Sequence, residues 1–207
     1  IKPTVAQNAY LLTTRTSEGG QPGNWFAVSL GINGNLALEL GGSPGSGGFS
    51  ANTYTAMGTA TNVIAIGNWN HIAVVRSGNS LKLYVNGLEK ANSITAITNT
   101  LTTGNNILRF GGSVNFNSQW FNGSLDETRI WNIARTQCEI QTYMNCEIPN
   151  TAAGLVGNYH FNQGYNALNN STITTVTDAS ASGNTGTITN FALTGTSSNW
   201  VAPGGVV

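Results

Sequence analysis

Apolar and polar residues alternate with a period of two along most of the chain. In "LKLYVNG" the pattern places Leu81, Leu83 and Val85 on one face and Lys82, Tyr84 and Asn86 on the other, as in a strand with one buried face. Asn86-Gly87 follows as the two-residue signal for a type I′ turn. The preceding "NWNHIAVVRSGNS" predicts a strand from about Trp69 to Arg76 that closes at a Ser77 to Ser80 turn, so this region reads as a meander. Upstream, "AYLLTTR", "NWFAVSLGI" and "NLALELG" repeat the alternation, with Asn33-Gly34 as a second hairpin signal. Downstream come "NILRFGG", "SLDETRIW", "GLVGNYHF" and "GTITNFAL", for roughly nine or ten strands in all.

One segment breaks the period. In "RTQCEIQTYMNC", Thr136 and Glu139 form the S/T-x-x-E capping box and predict a single short helix near 136–145. Many short strands with turn signals and no β-α-β rhythm predict an all-β protein, an antiparallel β-sandwich or jelly roll. The helix also argues against a disulfide between Cys138 and Cys146. Eight helical residues separate their Cα atoms by about 12 Å, whereas a disulfide needs them within about 7 Å. Free or differently paired thiols are expected. Two Gly, Ser, Thr and Asn rich stretches, 41–62 and 162–184, read as long surface loops, the second with a short strand at "TITTVT".

Composition narrows the function. Only 8% of the 207 residues are charged and the formal net charge is zero, so the basic field required by nucleic acid or an anionic membrane is missing. No apolar run approaches the roughly 20 residues of a membrane-spanning helix, so membrane insertion is not expected. A surface kept soluble by Asn, Thr, Ser and Gly suits an extracellular or cell-surface protein. The chain opens at "IKPTVAQNAYLL" without an initiator Met and partway through a strand pattern, as a mature or trimmed product does.

Two motifs carry a resemblance. "NWNHIAVVRSGNSLKLYVNGLEKA" resembles the W-x-H signature of laminin-G-like, concanavalin A-like jelly-roll domains, and "FNGSLDETRIWNIARTQCEIQ" resembles the motif that closes the core of those domains. "GLVGNYHFNQG" and "TDASASGNTGTITNFALTGTSSNWV" are similar to the tails of versions found in large secreted and surface proteins of Bacteroidetes-type bacteria. The likeness covers most of residues 60–201. It implies one jelly-roll domain over 1–201, lacking the family's first one or two strands, followed by a tail or linker at 202–207. Unpaired sheet edges would then be open to other chains. The implied function is a non-catalytic recognition or adhesion domain of a larger protein that binds carbohydrate. The alternative is a structural or adhesive spacer working through protein contacts, for example as secretion-system cargo, with a polysaccharide-degrading enzyme behind both.

Each chemistry has its candidates. The eight acids include no i, i+2 pair that would share one strand face, and Asp126 and Glu127 are adjacent, hence on opposite faces of a strand. Both histidines, His71 and His160, lie inside strand patterns beside apolar neighbours. "GGSPGSGG" lacks the Lys and the helix of a phosphate cradle. The resemblance implies calcium, with Asp126 as ligand; against this stands an Asp126 bonded to backbone in the sheet and a Glu127 paired with Arg129 or Arg135. Asp178 reads as a turn residue or a further calcium ligand. For a glycan, "NFNSQWFNGS" offers an aromatic ring, Trp120, among the amides of Asn117, Gln119 and Asn122. Tyr54 and Tyr165 are further aromatic candidates, whereas Trp25, Trp69 and Trp131 belong to packing.

Overall fold

The computed structural model describes residues 1–14, 25–41, 55–90, 107–112 and 119–206, which group into two compact units, Ile1–Ser124 and Leu125–Val207. The fold is all-β and antiparallel with one short helix among the described residues, as the alternation predicts. Tyr54, Asn117 and most of the 41–62 stretch lie outside the described residues.

Among the described residues the first unit holds ten strands: β1 (Lys2–Pro3), β2 (Ala9–Thr13), β3 (Trp25–Leu30), β4 (Leu36–Gly41), β5 (Thr55–Gly58), β6 (Ile72–Ser77), β7 (Ser80–Val85), β8 (Leu88–Glu89), β9 (Arg109–Phe110) and β10 (Gly123–Ser124). Five form a sheet in the order β5-β4-β3-β2-β9, three a sheet in the order β6-β7-β8, and β1 pairs with β10. The two larger sheets share one core. Leu11, Val28, Leu30, Leu36, Leu38, Leu40 and Met57 from the first meet Leu81, Leu83 and Val85 from the second. These are the alternate residues of their strands, and each burial stabilises by about 1.5–3 kcal/mol. A smaller cluster of Tyr10, Trp25 and Ala27 occupies the other face of the five-stranded sheet, as expected for Trp25.

The turns follow local chemistry. Asn86 and Gly87 both have positive φ, 50° and 74°, the type I′ geometry that joins β7 to β8 without splaying the strands. At Asn33-Gly34 the connection is longer than two residues. Leu30 pairs with Leu36, and only Gly34 of the two turn residues is left-handed, because Gly31 N–H closes on the Asn35 carbonyl. The 41–62 stretch is not wholly a loop. Thr55–Gly58 pairs with β4 and places Met57 opposite Leu38, a strand hidden because Met57 is the one large apolar residue among its four.

The second unit contains β11 (Thr128–Trp131), α1 (Gln137–Tyr143), β12 (Leu155–Tyr159), β13 (Thr175–Val176) and β14 (Gly186–Thr187). β11 pairs with β12, and β13 with β14. The helix starts as the sequence predicts. Thr136 Oγ1 accepts from Glu139 N–H, and the Glu139 carboxylate accepts from Thr136 N–H. Both cysteines are free thiols, Cys138 exposed and Cys146 half-buried.

Two six-residue loops share a device that alternation does not signal. Asn70 accepts from Ala65 N–H and donates to the Ala65 and Asn68 carbonyls. Asn170 does the same to Tyr165 and Leu168, five and two residues back. Each buried carboxamide satisfies backbone groups that no strand partner reaches.

Candidate functional site

Trp120 follows β9 and precedes β10, with its side chain 45% exposed. Its ring lies against Gly112: a Cβ there would sit 2.1 Å from Trp120 Cε3, so only glycine lets the indole approach the backbone. The backbone around it is fixed by Tyr10 N–H donating to the Gln119 carbonyl and Phe121 N–H to the Gly111 carbonyl. The result is a rigid aromatic ring supported from below and open to water. Asn122 is engaged within the chain: its side-chain carbonyl accepts from the Thr4 hydroxyl at 2.6 Å and its backbone carbonyl from Gln7 Nε2. Gln119 is half-buried beside Trp120 in the chain. Tyr165 is exposed on the loop that Asn170 holds.

The adjacent acids part company for a reason other than strand alternation. Both precede β11, and Glu127 has φ +46°, a left-handed turn that ends the pairing. Asp126 Oδ2 accepts from Gly205 and Val206 N–H. Burial raises its carboxyl above the ordinary aspartate range, against the pull of those two amides, and the neighbouring Glu127 charge adds to the rise. Among the described residues the group of three metal-competent side chains is Glu127, Glu147 and His160, and Asp126 is not a member.

Glu127 anchors a polar cluster around the end of β12. Its side chain is only 7% exposed; Oε2 pairs with Arg129 at 2.8 Å and Oε1 with His160 Nδ1 at 2.6 Å. The expected Glu127 pairing thus falls to Arg129, while Arg135 bridges Glu139 and stacks over the Trp131 ring. Around His160 stand Asn150 and Asn158, whose carboxamides contact its Nε2, and Glu147, which accepts from Asn162 Nδ2. One oxygen each of Glu127 and Glu147 and one ring nitrogen of His160 lie within 4.8 Å of one another. A retaining glycosidase needs two carboxyl groups about 5–5.5 Å apart, both facing the sugar. The Glu127 side chain is buried, and Arg129 and His160 Nδ1 occupy both its oxygens.

Sequence reasoning missed this cluster. His160 was legible only as a member of "GLVGNYHF"; it stands just past the end of β12, two residues beyond Asn158. Asp178 does more than make a turn. Only 5% exposed, it accepts from Asn158 and Ser180 N–H through Oδ1 and from Asn184 N–H through Oδ2. Burial pushes its carboxyl up, but those amides outweigh it and hold the group below the usual range.

Comparison with known proteins agrees with this architecture. A laminin G family model, described as the concanavalin A-like lectin/glucanases superfamily, matches residues 1–141. A solved structure from Bacteroides ovatus, described as a candidate carbohydrate-binding protein, superposes with a TM-score of 0.60 at 17% identity, over 92% of this chain and 50% of that one. Pappalysin-1 is 38% identical over 82 residues in Mus musculus and 36% over 90 residues in Homo sapiens, covering 38% and 42% of this chain. The chain spans only 5% of the length of those relatives. Among the described residues no helix is long and apolar enough to cross a membrane.

Proposed function

The chain belongs to the concanavalin A-like lectin/glucanases superfamily, and on that premise we propose that it is a non-catalytic, extracellular recognition domain that binds carbohydrate. The observation that carries this reading is the Trp120 ring, seated on Gly112 and open on its outer side. Such a ring can cover the C–H face of a pyranose without the cost of ordering a flexible side chain. The description of the Bacteroides ovatus neighbour supports the same ligand class. A non-catalytic role is supported by Glu127, whose oxygens are both engaged. Secretion or surface display suits the low charge and the Asn, Thr, Ser and Gly rich composition. Calcium enters this proposal only through Asp126, whose Oδ2 already takes two amide donors.

Trp120→Ala is expected to weaken glycan binding at least tenfold, about 1.4 kcal/mol or more, with the melting temperature unchanged. A glycan array identifies the sugar, and calorimetry with and without chelator measures the loss. Absence of binding to any glycan, or unchanged affinity in Trp120→Ala, would sink the reading. The first result would leave a structural or adhesive spacer acting through protein contacts.

A further inference from the structure

We propose that His160, Glu147 and Asn150 form a binding site for a divalent transition-metal ion of the zinc class, oriented from behind by Glu127. The argument begins with the proton on His160. Glu127 Oε1, 2.6 Å from Nδ1, is a carboxylate that can only accept, so in the neutral ring it keeps the proton on Nδ1 and leaves the Nε2 lone pair outward. A carboxylate behind an imidazole, fixing its tautomer, is the arrangement that orients histidine ligands toward metals. Arg129 holds Glu127 in turn, so Glu127 is a positioning residue and not a ligand.

Next comes the spacing. Nε2 lies 3.1 Å from Asn150 Oδ1. Both accept from one amide, Asn158 Nδ2, which lies 3.1 Å from Nε2 and 2.7 Å from Asn150 Oδ1, so their lone pairs converge on one point. Two ligands of one ion, each about 2.0–2.1 Å from it with angles near 90–110°, stand about 3.0–3.4 Å apart, so the observed separation also fits the edge of a coordination polyhedron. Glu147, exposed and steadied by Asn162, adds a carboxylate within 4.8 Å of the ring. Arg129 offsets Glu127, so the cluster keeps the negative charge of Glu147 to set against the ion.

The amide that holds this point is itself incompletely satisfied. Asn158 is 0% exposed, yet its Oδ1 has no hydrogen-bond partner, while Nδ2 of the same carboxamide sits 2.7 Å from Asn150 Oδ1 and 3.1 Å from His160 Nε2. An orphaned buried acceptor costs about 1–3 kcal/mol. Without an ion, Asn158 Nδ2 donates to Nε2. With one, the carboxamide can turn over and bring Oδ1 to the ion, giving up its bond to Asn150 and placing Nδ2 where the oxygen stood. One imidazole with oxygen ligands suits zinc and its neighbours rather than calcium or magnesium, which take oxygen alone.

The test is calorimetric titration of the full chain with zinc chloride, in a Cys138→Ser, Cys146→Ser background so that the free thiols do not compete. One saturable equivalent and a rise in melting temperature are expected, with no such response to calcium chloride. Glu147→Gln, at an exposed position, should fold normally and bind zinc at least tenfold more weakly. His160→Gln should abolish the zinc-induced rise, and if it fails to fold, Glu147→Gln decides. No saturable zinc binding up to about 1 mM, or undiminished affinity in Glu147→Gln, overturns the proposal. Neither result bears on glycan binding at Trp120.

Discussion

Asp178→Ala is expected to unfold the Leu125–Val207 unit, at a cost of roughly 3–6 kcal/mol, because it strands three backbone donors at once. The carboxylate takes Asn158 N–H from the middle of β12, Ser180 N–H two residues on and Asn184 N–H beyond it, each at 2.8–2.9 Å. Each stranded buried amide costs about 1–3 kcal/mol, and Asn184, being exposed, recovers part of its share from water. The segment so tied also lies on β12 through Ala179 N–H to the Asn158 carbonyl and Tyr159 Oη–H to the Asn184 carbonyl, so its release would uncover that strand. Asp178→Asn keeps an acceptor for Asn158 and Ser180 but turns an amide donor toward Asn184, and should cost about half as much. Urea denaturation followed by tryptophan fluorescence measures both. A loss below about 1 kcal/mol in Asp178→Ala would mean the amides find other partners.

The same carboxylate sets an acid limb to stability. Its folded pKa is depressed, so its contribution is complete above the unfolded value of about 3.9 and is lost as pH falls below that through the folded value. Asp126 has the opposite sign. Its folded pKa is raised, so it disfavours the fold above that value and the penalty is relieved on acidification. Stability measured from pH 5 downward should fall in the wild type and flatten in Asp178→Asn. Loss of that difference would show that Asp178 does not govern the limb.

How much of this was legible in the sequence depends on the range of the interaction. Period two gave β3, β4 and β7 their buried faces, because burial of alternate side chains is a local pattern. The capping box located α1 for the same reason. The pattern overran at "SLDETRIW", where Glu127 turns left-handed and only Gly123–Ser124 and Thr128–Trp131 are strands. It also overran at "GTITNFAL", of which only Gly186–Thr187 pairs. The polar cluster was illegible because its members are 20 and 33 residues apart: Asp178 meets Asn158, and Glu127 meets His160, only through tertiary folding. Trp120 was singled out because an aromatic residue among amides is a local signal, but Gly112, which seats its ring, looked like one of 26 glycines.

Arg129 shows how strongly such unseen contacts bear on the fold, and Arg129→Ala is expected to cost about 3–5 kcal/mol. Its side chain is 10% exposed and that of its partner Glu127 7%, so neither charge can turn to water when the other is removed. The guanidinium also crosses to the end of α1, where it donates to the Tyr143 and Cys146 carbonyls. That helix has no basic residue in its last turn, so a strand arginine supplies the cation its C-terminus favours. Removal therefore strands an anion and two carbonyls together. Arg129→Lys keeps the charge but lacks the planar fork that reaches three acceptors, and should fall between wild type and Arg129→Ala. Glu127→Gln alone should cost less than Arg129→Ala, because Arg129 keeps both carbonyls. The double variant should cost less than the sum of the two, since the stranded anion is gone. Additive losses in this cycle, measured by urea denaturation, would show that the pair is not coupled and that Arg129 acts through α1 alone.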